Sequence, residues 1–470
     1  MTARLGLPVR WEHIALGTVA IGIGVLAGID PVLALAATLG LAFVLVALAD
    51  VTVGLCIFAL LAFVDQLPQV GDSSLTLTKF VGLLLAASWF ATVATAGRAR
   101  TFVSAHPGMT YVLAFFLGWV CLSLAWSEDP TGGAESLVRY ALNVVLLLIV
   151  FTAVSDRRRA TWVVGAFVLA ATASAAHGIV SPPAADQSEG VARVSGTIGD
   201  PNEFAALLVA GLVLAVALIG VARRAPVLRT ASVLAAVLCT AGIFVSVSRG
   251  GLVALAVALL AALFLAGRWR PVVLFATVLV AISGAVYFSA SGASDRLTLE
   301  DRGTGRLDIW TVGWRMVQDK PVTGVGAGNF QQSAIHYLLE PGSILRDEFI
   351  VVSPLAAHNV YLQVTAELGV VGLLLFLAIL GFSLSCAMRA ATRFRQAEDV
   401  RMELLSRGVL LALIGLLAAD FFLSDQYSKQ LWLLLGLAPA LLYLAPTSSG
   451  PAPPVWRSNR TESPAPAGSL

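Results

Sequence analysis

Fourteen apolar runs, most of them joined by short hinges, leave this chain few ways to fold. They fall at about 14–29, 31–49, 51–64, 78–96, 109–126, 138–154, 160–180, 202–221, 229–247, 250–267, 271–290, 361–388, 407–423 and 430–445. A membrane-spanning helix needs roughly 20 predominantly apolar residues, a length several of these runs approach or exceed. The chain is 58% hydrophobic and 12% charged, whereas soluble domains carry about 25% charged residues. A water-soluble protein of this make-up would expose very large apolar patches. The expectation is an all-α polytopic membrane protein with about 12–14 transmembrane helices, the count staying open within residues 1–70.

Basic residues set the direction of threading. With the N-terminus inside and strict alternation, 19 arginines fall in cytoplasmic connections, among them Arg157, Arg158, Arg159, Arg268 and Arg389. Outside the long loop, the opposite side holds five basic residues: Lys79, Arg139, Arg193, Arg249 and Lys429. Cytoplasmic loops carry an excess of Lys and Arg, so both termini are expected in the cytoplasm. Residues 1–290 then supply the N-terminal transmembrane helices, 291–357 one long extracytoplasmic loop containing short helices, and 358–445 the C-terminal transmembrane helices. Residues 446–470, rich in Pro and Ser, read as a disordered cytoplasmic tail. Arg4 and Arg10 precede an apolar run without a small-residue cleavage site, which reads as a retained first span. Cys56, Cys121, Cys239 and Cys386 lie inside apolar runs and never at metal-ligand spacing, so neither a disulfide nor a zinc site is expected.

The loop is the one long polar interruption, with 14 Asp, Glu, Lys and Arg residues between Ser291 and Ala357. Leu307, Trp310, Trp314 and Val317 recur at helical spacing, an apolar stripe suited to lying on a membrane surface. Arg306 and Arg315 sit on other faces of that helix, and Asp301 and Asp308 are available to pair with Arg306. Pro321 ends the helix, and Gly324–Gly328 makes a tight turn. No strand precedes that turn, which argues against a nucleotide-binding loop.

Three more polar clusters are assigned by the threading to the outer face. In RVSGTIGDPNEF (193–204), Asp200, Pro201 and Glu203 form a helix start by cap, first-turn proline and capping-box acid. That leaves Arg193 and Asn202 unexplained at a helix N-terminus, which is an anion site. In SVSRGG (246–251), Arg249 is either a snorkelling interfacial arginine or a phosphate ligand, guanidinium offering a fixed fork of donors. In the third cluster His358 stands before a helix on which Asn359, Gln363 and Glu367 share one face. An imidazole with an unperturbed pKa near 6.5 suits proton transfer at neutral pH. His13, His106 and His336 lack such company, and His177 lies near the outer end of its span.

Taken in order, SGTIGDPNEFA, SVSRGGLVAL, the Arg306/Trp310 helix with PVTGVGAGNF, and HNVYLQVTAELGVVGLLLF resemble the O-antigen ligase and O-antigen polymerase family of bacterial envelope glycosyltransferases. The likeness spans Arg193 to about Phe376. It implies transfer of a glycan from a polyprenyl-diphosphate carrier to an acceptor hydroxyl, with no cofactor, nucleotide sugar or metal. It also implies Arg249 and Arg306 as the diphosphate-holding arginines and His358 as the essential histidine. Arg193, Asn202, Asn359, Gln363, Glu367 and Trp310 are the expected substrate-binding residues. The expected partners are the lipid-linked donor, a glycan or lipid-anchored acceptor and the bilayer, with no nucleic acid.

Chemistry read from the residues agrees with that implication. Negative charge grows on a diphosphate leaving group as the glycosidic bond breaks, and preorganised cations answer it at roughly 3–4 kcal/mol per donor. His358 would take the acceptor's proton, with Glu367 or Asn359 orienting it. The absence of a retaining pair of carboxylates points to single displacement with inversion. From another class, a transporter or flippase of lipid-linked glycans is the alternative. Such a protein places charges deep inside many helices, whereas the helix centres from 202 to 290 are almost free of charge.

Overall fold

A computed structural model describes residues 9–64, 77–95, 101–181, 193–265, 267–291, 305–338, 344, 348–351 and 356–446. The proposed tail from 447 onward and Asp301 lie outside the described residues. The described part is helical, with no strand. In chain order the helices are α1 (Val9–Ile29), α2 (Pro31–Ala49), α3 (Val51–Leu61), α4 (Leu77–Thr95), α5 (Phe102–Ala105) and α6 (Pro107–Ser123). Next come α7 (Pro130–Ala153), α8 (Arg157–Val180), α9 (Pro201–Val221), α10 (Pro226–Val245), α11 (Arg249–Leu265) and α12 (Arg270–Ser291). The long polar loop contributes α13 (Arg306–Asp319), α14 (Phe330–Ser333) and α15 (Glu348–Val351). The chain then finishes with α16 (Val360–Gln396), α17 (Val400–Ala419) and α18 (Lys429–Leu444).

Among the described residues nine helices are long and apolar enough to cross a membrane, and five shorter apolar helices accompany them. Each of the fourteen runs in the sequence is therefore a helix, and the polytopic all-α expectation holds. The centre of the bundle is α9, surrounded by α8, α10, α11 and α17. Lipid is as apolar as leucine, so helices in a bilayer associate by close packing over small residues. Gly408 of α17 shows this: a Cβ there would lie 2.6 Å from that of Ala217 on α9. By contrast α12 leaves Val272, Phe275, Leu279 and Ile282 exposed, the surface expected of a helix bathed in lipid.

Four ion pairs gather on one face of the bundle. Arg159 meets Asp50 at 3.1 Å, Arg157 meets Asp399 at 3.1 Å, and buried Glu403 takes both Arg268 (2.8 Å) and Arg407 (3.0 Å). A buried carboxylate stripped of its partners is strongly destabilising, by about 3–5 kcal/mol, and Glu403 is held by two guanidinium groups. The helix ends nearest His358 lie on the other face.

One helix departs from the sequence reading. At 1.5 Å per residue the 37 residues of α16 would run about 55 Å, well beyond a hydrocarbon core of about 30 Å. It is broken at Gly369, whose φ of 67° and ψ of −173° are not helical. The break frees the carbonyls of Ala366, Glu367 and Leu368, and buried carbonyls in a membrane protein need donors. Val325 N–H and Gly326 N–H supply the first two at 2.9 Å each, and the Trp119 indole N–H supplies the third at 2.8 Å. In return Val370 N–H donates to Pro321 O at 2.8 Å. The glycine turn 324–328 is thus seated in a broken transmembrane helix. Gly324 and Gly369 both have φ of 67°, and a Cβ on either would collide with backbone across the seam.

Candidate functional site

Helix α13 begins at Arg306 after Gly305, which turns with φ of 65°. Ile309, Val312 and Met316 are its buried residues, packed with Val325, Phe330 and Ala357. Leu307 and Trp314 remain exposed. The stripe picked out in the sequence is therefore outward only at Leu307 and Trp314, while Val317 packs against the buried cluster, and a second apolar face, overlooked there, docks the helix. Trp310 joins the two sides: its indole N–H donates to Ala357 O at 2.8 Å. That contact fixes the residue immediately before His358.

His358 is held from three directions. Its backbone N–H donates to the Ser424 hydroxyl at 2.8 Å, and Val360 N–H, two residues on, donates to Asp420 O at 2.8 Å. Asn359 caps α16 by accepting Leu362 N–H. The backbone of His358 is left-handed, with φ of 49°. Non-glycine residues in this region cost about 1–3 kcal/mol and persist where the surroundings over-determine them. Val247, two residues before Arg249, has φ of 48° and is a β-branched outlier. Both strained residues border candidate site arginines or the histidine itself.

Burial lowers the imidazole pKa of His358, the charge of Arg306 lowers it further, and the carboxylate of Asp200 opposes them. His358, the first residue of α13 and the cap of α9 therefore lie within one electrostatic field. Asp200 accepts Asn202 N–H and Glu203 N–H, each at 2.8 Å, the helix start read from the sequence. Asn202, on the next residue but one, accepts from Arg193 Nη2 and from the Ser248 hydroxyl, both at 2.8 Å. Arg193 also reaches Ser246 O at 3.4 Å. Arg249 follows as the first residue of α11, with an exposed side chain. A Cβ on its neighbour Gly250 would lie 3.1 Å from that of Phe422, two residues from Ser424, the serine that anchors His358. Five chain segments thus meet on one face.

Two of the predicted binding residues face elsewhere. Glu367 is buried and accepts Gly328 N–H at 3.0 Å and Gln363 Nε2 at 3.0 Å. Gln363 and Glu367 therefore clamp the glycine turn onto α16. Asn359 and Glu367 each have structural partners, and neither makes a hydrogen bond to the imidazole.

Other polar residues of this face were not singled out in the sequence. Asn329, fully buried, donates through Nδ2 to Ser127 Oγ and to the carbonyls of Asp129 and Ala327, and accepts Asp129 N–H. Its only sequence signal is an asparagine after three glycines. His336 does have company, against the sequence reading: its Nε2 lies 2.8 Å from Glu128 Oε1. The partner is 208 positions away, out of reach of any local pattern. Asp420 is buried just past the end of α17, and burial pushes its carboxyl up to about 8. Among the described residues no three His, Cys, Asp or Glu side chains gather as a metal site, and all four cysteines are free thiols.

Fold and site together define a helical membrane protein with a cationic, histidine-bearing polar face. Residues 233–377 match the family described as O-Antigen ligase (Wzy_C). Over that segment the chain is similar to the O-antigen ligase family, which supports the resemblance read from its motifs. The match runs from α10 into α16 and takes in Arg249, Arg306 and His358, while Arg193 and Asn202 lie before it. No curated protein matches the chain. The family and the apolar helices make this a multi-pass protein of the bacterial inner membrane and a glycosyltransferase of the O-antigen ligase or polymerase type.

Proposed function

We propose that this protein transfers a glycan from a polyprenyl-diphosphate carrier to an acceptor hydroxyl at the extracytoplasmic face, without a metal and with inversion at the anomeric carbon. The observation that carries this reading is the convergence around His358: the Trp310 indole N–H donates to Ala357 O, His358 N–H donates to the Ser424 hydroxyl, and Phe422 lies against Gly250, next to Arg249. Arg306 and Arg249 hold the diphosphate and answer the charge that grows on it as the glycosidic bond breaks. Each such donor is worth roughly 3–4 kcal/mol in an ordered site. His358, its pKa lowered, is neutral at pH 7 and accepts the acceptor's hydroxyl proton through a ring nitrogen. The acceptor oxygen attacks the anomeric carbon as the carrier diphosphate leaves from the opposite side.

The remaining residues position these groups. Asn202 couples Arg193 to Ser248, next to Arg249. Trp310 and Ser424 hold the backbone on both sides of the imidazole, and Asn359, Gln363 and Glu367 keep the outer loop and its helix together. The arginine asymmetry supports a cytoplasmic location for both termini. The test is to incubate purified protein with a polyprenyl-diphosphate-linked glycan and candidate acceptors, then analyse the product. A new glycosidic bond of opposite anomeric configuration, formed with chelator present, supports the reading. Carrier-linked glycan left intact with every acceptor, while it is moved across vesicle membranes, would favour the flippase instead.

A further inference from the structure

Of the five basic residues assigned to the outer face outside the long loop, three belong to a different place. Lys79 of α4, Arg139 of α7 and Lys429 of α18 line a cavity of about 710 Å³ that none of Arg193, Arg249, Arg306 and His358 touches. That volume lies within the range of about 300–1,000 Å³ typical of small-molecule sites. Below the three cations the wall is mostly apolar: α7 presents Val138, Leu142, Leu146 and Ile149 along one side, and the amide of Asn143, which also lines the cavity, donates to Tyr427 O at 3.0 Å. From Arg139 to Ile149 is ten residues of helix, about 15 Å, and one leaflet of hydrocarbon is half of about 30 Å. The cavity therefore has a charged mouth and an apolar trough one leaflet deep.

Among the described residues lining the mouth, three basic side chains stand against one carboxylate, Glu135, which lies 3.4 Å from Arg139. The Arg139 guanidinium also lies 5.5 Å from the Tyr427 ring. Ammonium groups are compact point charges that bind phosphate, and guanidinium adds a fork of donors. We propose that this cavity binds an anionic membrane phospholipid, its phosphate among Lys79, Arg139 and Lys429 and one acyl chain laid along α7. The segment 424–429 links this site to the histidine: Ser424 holds His358 at one end, while Tyr427 and Lys429 line the cavity at the other. A bound lipid thus braces the platform on which His358 stands. The proposal does not depend on the glycosyl-transfer reading, because its readout is binding.

The full-length protein in detergent is titrated with phosphatidylglycerol and with phosphatidylcholine of matched chains, and retained lipid is measured by native mass spectrometry. Phosphatidylglycerol is expected to bind more tightly than phosphatidylcholine. A Lys79→Gln/Lys429→Gln double variant should lose about 30-fold of that affinity, and the Lys79→Arg/Lys429→Arg variant should keep it. Leu142→Trp, which fills the trough, should weaken both lipids while the protein stays monodisperse. Equal retention of the two lipids, or an unaltered affinity in the glutamine variant, overturns the proposal. So does displacement of phosphatidylglycerol by inorganic phosphate alone, or a clear preference for a phosphorylated glycolipid.

Discussion

The indole N–H of Trp310 donates to the carbonyl of Ala357 at 2.8 Å, so a helix of the outer loop grips the residue that precedes His358. The two partners are 47 positions apart in sequence. That bond, together with the Ser424 hydroxyl on the other side of Ala357, sets the left-handed turn in which the imidazole is displayed.

The imidazole is assigned the proton transfer. His358→Ala should lower glycan transfer by about 10²–10⁴-fold while donor binding stays measurable. Single-turnover rates and donor affinity on the purified variant check this. Transfer at the wild-type rate would remove His358 from the mechanism.

Arg306→Lys keeps the charge and loses the bidentate fork. Transfer should fall strongly, at least tenfold, with normal membrane insertion and an unchanged melting temperature. A variant as active as the parent would show that Arg306 supplies only charge.

Asp200→Asn tests the field around the histidine through its pH profile. Burial and Arg306 hold the imidazole pKa below its ordinary value, while Asp200 opposes them. A base must be unprotonated, so activity is lost as pH falls through that lowered pKa. Asparagine still caps α9 but no longer stabilises imidazolium, so the acid limb should move to still lower pH. A limb that stays put or rises contradicts the assignment.

Gly369→Ala asks whether the broken helix is essential. A Cβ there collides with Val322 O, and φ is 67°. Left-handed alanine alone costs about 1–3 kcal/mol, and the seam to residues 321–326 is lost as well. A clear fall in melting temperature and near-complete loss of transfer are expected. The same substitution at the exposed Gly381, which meets nothing within 4 Å, should leave both unchanged.

Asp420 makes stability depend on pH. Burial raises its pKa to about 8 from an ordinary 3.8, so the folded state holds a proton that the unfolded chain releases. Stability from this group is fully present below the unfolded value and declines as pH rises toward about 8. Asp420→Asn should therefore raise the melting temperature more at pH 8.5 than at pH 5. A gain of equal size at both pH values would rule out a buried proton.

The apolar runs were legible because hydropathy over about 20 residues reports the cost of burying backbone and side chains in lipid, which is independent of neighbours. The start of α9 was legible for a local reason, Asp200, Pro201 and Glu203 lying within one turn. Gly369 was not: a single glycine in an apolar run reads the same in a straight helix as in a broken one. Only the seat offered by residues 321–326 decides between them. Gln363 and Glu367 do share a face and hydrogen-bond to each other, whereas Asn359 stands before the helix as its cap, and the backbone partners, Leu362 N–H and the turn at Gly328, are ones that no residue pattern advertises. The buried face of α13 was missed because that helix carries apolar residues on two sides, and periodicity alone ranks neither.

The seam between residues 321–326 and 366–370 also constrains how substrate gains access. Three backbone hydrogen bonds cross it in both directions, so residues 321–326 and the first nine residues of α16 are tied together as one lever. Such a lever cannot peel away from its helix the way a flap does. The same lever is pinned at its far end, where His358 N–H and Val360 N–H donate to the Ser424 hydroxyl and Asp420 O, so any displacement of the glycine turn would be felt at the imidazole and at the end of α17 together.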